Sequence, residues 1–386
     1  MKDRWKEKII YALLTVGRWG LNFIYLFHKL CLTKRRISII SRQAEEPYAD
    51  LQMLSSQLRR LDPDTEVIVS CRMIGDGIAG KISYIGYLIT TQMHLFATSQ
   101  VVVLDTYCIG ASMLKHKKGL KIVQMWHAMG AFKKFGYTSI DETEGRSSVI
   151  ARGMQMHRNY DVVFISSEAC RMPMAASFGC DPEKLQVMPL PRTDLVRDPR
   201  FLQETGEKIR QAYPQLLGKR VILYTPTFRK AGTILPYAKQ LIDVVDYESA
   251  CLVVKLHPID GVRIIAKHAI IDRAFSSQEW LSVADDVITD YSAFVFEAAA
   301  AGKRIYRFVP DDTAYDRERG FLIDVETEFP FFESGDAQEV LRAVAEERCD
   351  PQALQAFTDK YVQPGEHYTE HMAAYILHLA GAEASA

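Results

Sequence analysis

The sequence lacks the features by which several classes of protein are recognised. Its 386 residues carry a formal net charge of −1, so the basic excess typical of nucleic-acid-binding proteins is missing. Seven cysteines are scattered and never closely paired, which fits reduced core residues in a cytosolic protein and neither a disulfide framework nor a zinc site. We therefore predict a soluble globular protein with no nucleic-acid partner.

The usual ligand-binding motifs are also missing. The first predicted βα turn has no GxGxxG, which argues against a dinucleotide cofactor, and no P-loop GxxxxGK[ST] is found anywhere. Neither a DxD motif nor a cluster of His, Asp and Glu at metal-ligand spacing occurs. We therefore predict no cofactor and no metal, and we expect positive side chains and helix dipoles to neutralise any bound phosphate.

What the sequence does contain is a regular alternation of short apolar runs and helical stretches. Two of the predicted helices are Tyr48–Leu61 and Gly80–Ala97. The predicted strands are Arg36–Ser41, Glu66–Cys71, Val101–Asp105, Lys121–Trp126, Val162–Ser166, Val221–Thr225, Cys251–Leu256, Val287–Asp290 and Arg304–Phe308. This spacing predicts an α/β protein of two tandem Rossmann-like domains, each with a parallel sheet covered by helices.

The predicted domain boundaries follow from this alternation. Residues 36–195 form the first domain and residues 196–386 the second, which includes a C-terminal helix. The Pro- and charge-rich stretch Leu190–Gly206 joins them. We expect the ligand in the cleft between the domains, at the carboxyl ends of the strands.

Residues 1–35 differ from the rest of the chain. The first 36 residues contain nine Lys or Arg and two Asp or Glu, and an apolar run follows in which Arg18, Asn22 and His28 are polar. These interruptions argue against a clean transmembrane span and favour an amphipathic helix on an anionic membrane surface. The alternative is a helix docked on the protein's own core or on a partner subunit.

The stretch Val287–Gly302, VITDYSAFVFEAAAAG, predicts a strand that leads into a capped helix. Ser292 occupies the expected N-cap position, and Gly302 follows the last helical residue. Free N–H groups and the helix dipole make such a terminus suitable for a phosphate. The alternative is an ordinary α/β unit with a routine serine cap.

Other strand ends carry His, Arg and Lys. His127 follows one strand directly and is a candidate general base, although a lone histidine is more often a hydrogen-bonded core residue. Thr227 and Arg229 follow a strand of the second domain, and the planar guanidinium of arginine suits phosphate. Lys255 lies just inside another strand, and His257 follows it.

With these residues the chain resembles the CDP-glycerol glycerophosphotransferases of teichoic acid synthesis. The matching segments, in the family's order, are QMWHAMGAFKKFGY (124–137), LPRTDLV (190–196), ILYTPTFRK (222–230), KLHP (255–258), ITDYSAFVFEAAAAGKRI (288–305) and DRERGFLIDVE (316–326). The resemblance implies a GT-B fold and transfer of an alditol phosphate from a CDP-alditol to a lipid-linked saccharide at the cytoplasmic face of the membrane.

The resemblance also implies roles for individual residues. His127 matches the family's catalytic base and His257 its second essential histidine. The positions that match the donor and phosphate pocket are Thr227, Arg229, Lys255, Asp290, Tyr291, Ser292 and Glu297. Those that match the acceptor side or the hinge are Gly130, Lys133, Lys134, Arg192 and Asp194.

The chain departs from the family pattern at Leu190, at Pro330–Phe332 and at Pro364-Gly365, so the resemblance leaves the alditol undetermined. Two other functions fit the same residues. One is a GT-B sugar transferase that uses a nucleotide sugar. The other is an inactive membrane-associated binding protein, against which the presence of both histidines argues.

Overall fold

The computed structural model describes residues 2–143, 145–227, 234–256, 264–310 and 320–381. The chain divides into two compact units. Unit 1 comprises the described residues up to His127, together with residues 134–192 and those from Gly365 onward. Unit 2 comprises Ala128–Lys133 and Thr193–Pro364.

Each unit is built on a parallel sheet. The strands are β1 (Arg36–Ser41), β2 (Glu66–Cys71), β3 (Val101–Leu104), β4 (Lys121–Gln124), β5 (Val162–Ile165), β6 (Leu185–Val187), β7 (Arg220–Thr225), β8 (Ala250–Val254), β9 (Ile270–Ile271), β10 (Asp286–Thr289), β11 (Arg304–Phe308) and β12 (Phe332–Ser334). The described strands form one sheet in the order β2-β1-β3-β4-β5-β6 and another in the order β12-β11-β10-β7-β8-β9. The predicted α/β class with two Rossmann-like domains is confirmed.

The α-helices are α1 (Lys2–His28), α2 (Ala49–Leu61), α3 (Gly77–Tyr87), α4 (Met93–Thr98), α5 (Ile109–Met113), α6 (Ser148–Gly153), α7 (Arg171–Phe178), α8 (Arg192–Arg197), α9 (Pro199–Ala212), α10 (Leu235–Val244), α11 (Ser277–Trp280), α12 (Phe294–Ala300), α13 (Val325–Glu328), α14 (Ala337–Ala345), α15 (Pro351–Tyr361) and α16 (Tyr368–Leu379). A π-helical turn over Leu88–Gln92 joins α3 to α4. The predicted helix Gly80–Ala97 is therefore present, with a changed hydrogen-bond pattern in its middle.

All nine predicted strands are present, within two residues at either end. The additional strands β6, β9 and β12 have two or three residues each and lie at the edges of their sheets. Central parallel strands are buried on both faces and read as apolar runs, whereas a short edge strand leaves no such run in the sequence. This difference explains why the three strands that were not predicted are all short edge strands.

The C-terminal helix corrects the predicted domain division, because α16 belongs to unit 1 and not to unit 2. Its apolar side, including Met372 and Ile376, is buried. Tyr375 contacts Phe164 of β5 edge to face at a centroid distance of 5.7 Å. The chain therefore returns to the first unit after completing the second.

Helix α1 packs on unit 1 with one side and is exposed on the other. Two of the three polar residues that interrupt the apolar run contact the rest of unit 1: Asn22 Nδ2 donates to the Met113 carbonyl at 2.8 Å, and His28 Nε2 lies 2.8 Å from the Ile89 carbonyl. Tyr25 is fully buried. The alternative, a helix docked on the protein's own unit, is therefore met, and the membrane-surface role of the segment stays a prediction.

The exposed side of α1 carries a continuous row of apolar residues, here called the apolar stripe. Its members, spaced at three and four residues, are Leu13, Val16, Trp19, Phe23 and Phe27, all more than 60% exposed. By length and composition, residues Trp5–His28 suffice to cross a membrane.

Candidate functional site

Three neighbouring strands of unit 1 end in polar residues at the same edge of the sheet. Arg42 follows β1, Asp105 follows β3 and His127 comes three residues after β4. Because β1, β3 and β4 are adjacent and parallel, their carboxyl ends meet. The contact is direct, since His127 Nδ1 lies 2.9 Å from the Asp105 carbonyl oxygen.

This contact fixes the protonation of the His127 ring. A carbonyl oxygen can only accept a hydrogen bond, so the Nδ1 atom of His127 carries the proton and donates it. Burial lowers the pKa of His127 to about 4, and Arg192 and Arg42 act in the same direction. The ring is therefore neutral near pH 7, and its Nε2 atom holds a free electron pair able to accept a proton.

The residue before His127 adopts an unusual backbone conformation. Trp126 has a φ of 60°, in the left-handed region that side chains other than glycine rarely adopt. Its N–H donates to Gln124 Oε1 at 2.9 Å, and its indole stacks on Phe135 at a centroid distance of 4.4 Å. Such strain persists only where the surroundings enforce it. These contacts hold the turn that directs the His127 ring.

Arg192, predicted at the hinge, is held by a buried carboxylate. Its Nε and backbone N–H each donate to Asp50 at 2.7 Å, and its Nη2 also contacts Asp50. Asp50 is fully buried at the start of α2. The guanidinium lies over the Tyr48 ring, whose hydroxyl donates to Asp105 Oδ2 at 3.1 Å. Arg192 is thereby linked to the strand end that positions His127.

Sequence reasoning missed Asp50, Tyr48, Asp105 and Arg42. Asp105 and Arg42 carried a usable signal, because Asp105 ends one predicted strand and Arg42 follows another, at the edge where His127 lies. Asp50 carried none. An acidic residue in the first turn of a helix is common, since it interacts favourably with the helix dipole, and the sequence does not distinguish this case from a buried ion pair.

The segment Ala128–Lys133, predicted on the acceptor side or at the hinge, belongs to unit 2. Phe132 stacks on Phe321 at a centroid distance of 5.0 Å, and its carbonyl accepts from Leu322 N–H at 2.8 Å. Gly130 has a φ of +69°, and a Cβ there would lie 2.4 Å from the Phe296 ring. Only glycine fits this position, because both the conformation and the contact exclude a side chain.

Lys133 and Thr227 lie together in unit 2, with Lys133 Nζ 3.4 Å from Thr227 Oγ1. Asp290 orients Thr227, since its Oδ1 accepts from both the N–H and the hydroxyl of Thr227 at 2.8 Å. Asp290 is buried and joins the end of β10 to the end of β7. Its carboxylate is therefore engaged with the protein and acts as a positioning group.

Tyr291 is fully buried in an aromatic stack. Its ring lies 5.7 Å from that of Phe321 at an interplanar angle of 25°. Arg307 lies over the Tyr291 ring at 5.7 Å, donates to the Asp290 carbonyl at 3.3 Å and pairs with Glu333. Arg307 was not predicted, because it sits inside a strand and only the neighbouring strand brings Asp290 within reach.

The predicted strand–helix unit is present, with a shorter helix than expected. Helix α12 has seven residues, and Gly302 follows it with a φ of +65°. The N-cap residue is Ala293, not Ser292 as predicted, and no side-chain cap hydrogen bond is formed. Ser292 Oγ, one residue earlier, accepts from the Phe294 N–H at 3.3 Å. Glu297 is nearly buried, and its Oε2 accepts from Gln278 Nε2 at 2.6 Å. A helix this short contributes little dipole for anion binding.

Lys255 is engaged in a buried network. Its Nζ donates to Asp272 Oδ2 and to the Asp272 carbonyl at 2.9 Å each, and to the Phe275 carbonyl at 2.5 Å. Burial raises the pKa of Asp272, but hydrogen bonds from Trp280, Tyr213 and Lys255 outweigh it and hold the pKa at about 2. Lys255 thus fastens the loop before α11, and its charge is already neutralised by a carboxylate.

Four predicted site residues remain to be placed. Lys134 forms a surface ion pair with Glu142 at 3.1 Å, and Asp194 lies in the short helix α8. Arg229 and His257 lie outside the described residues.

Within the described ranges, no group of three or more His, Cys, Asp or Glu side chains could hold a metal ion.

The segment Pro330–Phe332, one of the places where the chain departs from the family pattern, contributes to the hydrophobic core of unit 2. Phe331, in the Pro330–Phe332 segment, packs against Phe329 and Phe357 at centroid distances of 5.6 and 5.0 Å. Phe357 in turn stacks on Phe296 of α12 at 5.5 Å. The aromatic residues therefore fill the interior of unit 2 beneath α12.

Comparisons with known proteins agree with this architecture. The sequence model of the family "CDP-Glycerol:Poly(glycerophosphate) glycerophosphotransferase" matches residues 22–368. The teichoic acid ribitol-phosphate primase of Bacillus spizizenii is 27% identical over 371 residues, covering 92% of this chain and 94% of that protein. The teichoic acid glycerol-phosphate primase of Bacillus subtilis is 29% identical over 244 residues, covering 60% of this chain and 61% of that protein.

A solved structure shares the fold. The wall teichoic acid polymerase TagF, in a variant soaked with CDPG, superposes with a TM-score of 0.72 at 14% identity. The match covers 99% of this chain and 98% of that one.

Proposed function

Because the chain belongs to the CDP-glycerol:poly(glycerophosphate) glycerophosphotransferase family, we propose that His127 is the base by which it transfers an alditol phosphate from a CDP-alditol. The observation that carries this assignment is the hydrogen bond from Nδ1 to the Asp105 carbonyl. It leaves Nε2 unprotonated, as a general base requires.

The proposed reaction is a single displacement at phosphorus. The acceptor hydroxyl oxygen attacks the β-phosphorus of the CDP-alditol while His127 Nε2 takes its proton. A new O–P bond forms, the bond from that phosphorus to the bridging oxygen breaks, and CMP leaves with the electron pair. Positioning and charge stabilisation dominate such phosphoryl transfers.

Unit 2 supplies the proposed donor site. The ammonium of Lys133 suits phosphate oxygens. The Thr227 hydroxyl lies 3.4 Å from it as an acceptor and donates its own proton to Asp290 Oδ1, so Thr227 positions the ammonium. Arg229 and Ser292 belong to the same proposal, with His257 as a second histidine near the diphosphate. The positive charge of Lys133 would offset the negative charge that develops on the leaving CMP.

The experiment that tests this function is the release of CMP from CDP-glycerol and CDP-ribitol, measured with and without a lipid-linked disaccharide acceptor. We expect acceptor-dependent CMP release from at least one of the two donors. UDP-glucose serves as the control donor, because a sugar transferase on the same fold would consume it. Release of UDP, with neither CDP-alditol turned over, would contradict the proposal.

We further propose that the protein works as a peripheral protein at the cytoplasmic face of the membrane, on a lipid-linked saccharide acceptor. The support is the apolar stripe of α1, which stays exposed although the opposite side of the helix is docked. Basic residues at both ends of this helix suit an anionic leaflet, where each is worth about 1 kcal/mol. Attachment would concentrate the enzyme beside its acceptor.

The stripe allows a sharper test than removing residues 1–34, because deletion would also uncover the partners of the buried Tyr25. Replacing Leu13 and Phe27 by serine is expected to weaken binding to anionic vesicles on the order of 100-fold, since each residue would lose about 1.5 kcal/mol of apolar transfer. Vesicle sedimentation measures this change.

The matched control replaces Met172 and Leu217, two other exposed apolar residues, by serine. This pair should bind vesicles like the unaltered protein and should show the same activity on a soluble acceptor. If both pairs bind equally well, the stripe does not contact the membrane and peripheral attachment through α1 is wrong.

A further inference from the structure

A basic groove in unit 1 lies beside the exposed side of α1. It has a volume of about 740 Å³, and Trp19, Phe23 and Leu26 form its apolar wall. Five cationic residues line it: Arg18, Lys29, Lys115, Arg158 and Lys184. Asp161 is the one carboxylate among the described lining residues, and its Oδ2 accepts from the Ile122 N–H at 2.8 Å.

The groove is distinct from the proposed catalytic site. Leu120 and Ile122 line it at the start of β4, and Asp161 immediately precedes β5. His127 follows the opposite end of β4. The groove therefore lies at the edge of the sheet where these strands begin, while the candidate base lies at the edge where they end.

Hydrogen bonds to α1 hold the far wall of the groove. Asn22 donates through Nδ2 to the Met113 carbonyl at 2.8 Å and accepts from the Lys115 N–H at 2.7 Å. Lys29 Nζ donates to the Lys115 carbonyl at 3.2 Å. The ring of His116 lies against Tyr25, with Nδ1 3.3 Å from its hydroxyl. The loop that carries Lys115 is thus fixed to the helix that carries the apolar wall.

Several of these cations have no counter-ion among the described residues. The side chains of Arg18, Lys115 and Arg158 make no hydrogen bond or ion pair with any residue in the described ranges. Lys184 Nζ donates to the Tyr160 carbonyl, a neutral partner. The groove therefore combines excess positive charge with an exposed apolar wall, and a ligand that matches both must carry an anionic group and hydrocarbon.

We propose that this groove binds the headgroup phosphate of an anionic membrane phospholipid, with the acyl chains against Trp19, Phe23 and Leu26. The inference rests on the proposed membrane attachment through α1. It adds that the protein holds individual lipid molecules at a built site, in addition to the general attraction of basic residues to an anionic surface. Continuity of the groove with the exposed side of α1 favours a lipid over a soluble phosphate.

The test compares two double variants of the full-length protein that remove equal charge. The groove pair is Lys115→Gln with Arg158→Gln. The control pair is Lys118→Gln with Arg152→Gln, two exposed residues close in sequence to the groove residues but outside its lining. Binding is measured to vesicles of phosphatidylglycerol and phosphatidylcholine in equal amounts. We expect the groove pair to bind roughly tenfold more weakly than the control pair. A direct hydrogen bond from a charged side chain to the headgroup phosphate contributes more binding free energy than general attraction to the anionic surface.

Soluble probes separate the groove from the bilayer. Dihexanoyl phosphatidylglycerol should bind the unaltered protein and the control pair, and should bind the groove pair roughly tenfold more weakly. Glycerol 3-phosphate, which lacks the chains, should not compete at equal concentration. Equal losses for the two pairs, or competition by glycerol 3-phosphate as strong as by the short-chain lipid, would overturn the proposal.

The proposed membrane attachment through α1 and the proposed headgroup site can fail separately, and the measurements distinguish the two cases. If the unaltered protein ignores vesicles yet binds the short-chain lipid in the groove, attachment through α1 is wrong and the headgroup site stands. If it binds vesicles and the two pairs weaken binding equally, attachment stands and the headgroup site is wrong. CMP release with a soluble acceptor should be unchanged in both pairs, because neither changes a residue placed in the transfer site.

Discussion

Replacing His127 by asparagine is expected to reduce turnover by about 10²- to 10⁴-fold, the usual contribution of a general base. The asparagine amide can still donate to the Asp105 carbonyl, so the strand end should keep its shape. It offers no nitrogen basic enough to take the proton of the acceptor hydroxyl. The measurement is CMP release at saturating donor, and KM for the donor should change little because the base contacts the acceptor.

The control is His371→Asn, an exposed histidine on α16 in the same unit, which should leave turnover unchanged. The pH dependence gives an independent check. The His127 ring is active when unprotonated, and burial holds its pKa at about 4. In the free enzyme, kcat/KM should therefore fall only as the pH approaches 4. Turnover of the variant within a few-fold of normal would contradict the assignment, whereas an acid limb near pH 6.5 would contradict only the lowered pKa of His127.

The second large effect is expected from Asp50→Asn, which removes the charge that faces Arg192. Asp50 is fully buried, and the Arg192 side chain is 12% exposed. Removing one partner of a buried ion pair leaves the other without compensation, which costs about 3–5 kcal/mol of folding free energy. Urea unfolding followed by circular dichroism measures the loss.

Two further variants make the Asp50 result specific. Asp64→Asn changes an exposed aspartate beyond the same helix and should alter the unfolding free energy by less than about 0.5 kcal/mol. Asp50→Leu combined with Arg192→Met removes both charges and should lose less stability than Asp50→Asn alone. If Asp50→Asn and Asp64→Asn unfold at the same urea concentration, the ion pair does not contribute to stability as inferred.

The fold could be predicted largely because central parallel strands are continuous apolar runs. Runs such as RISIIS and VILYT became β1 and β7, and their spacing required two βαβ series. Strands of two or three residues at the sheet edges carry too few apolar residues to be distinguished from loops. The positions of β6, β9 and β12 therefore depended on the strands beside them.

The candidate site could be predicted only where it follows strand ends. His127 and Thr227 were found because a polar residue directly after a buried strand must lie at the carboxyl edge of a sheet. Lys255 obeyed the same pattern, yet the structure engages its ammonium with Asp272 inside unit 2. The sequence does not show whether a charged residue at a strand end meets a ligand or a carboxylate of its own protein.

By itself the sequence determined the two parallel sheets, the family, and the strand ends that carry His127 and Thr227, because all of these depend on local patterns of apolar and polar residues. Only the tertiary structure decided that Ala128–Lys133 belongs to unit 2 and the C-terminal helix to unit 1. It also decided that Arg192 meets Asp50, 142 positions away in the chain. Such pairings arise from burial of a side chain against a distant element, and no local pattern encodes which element arrives there.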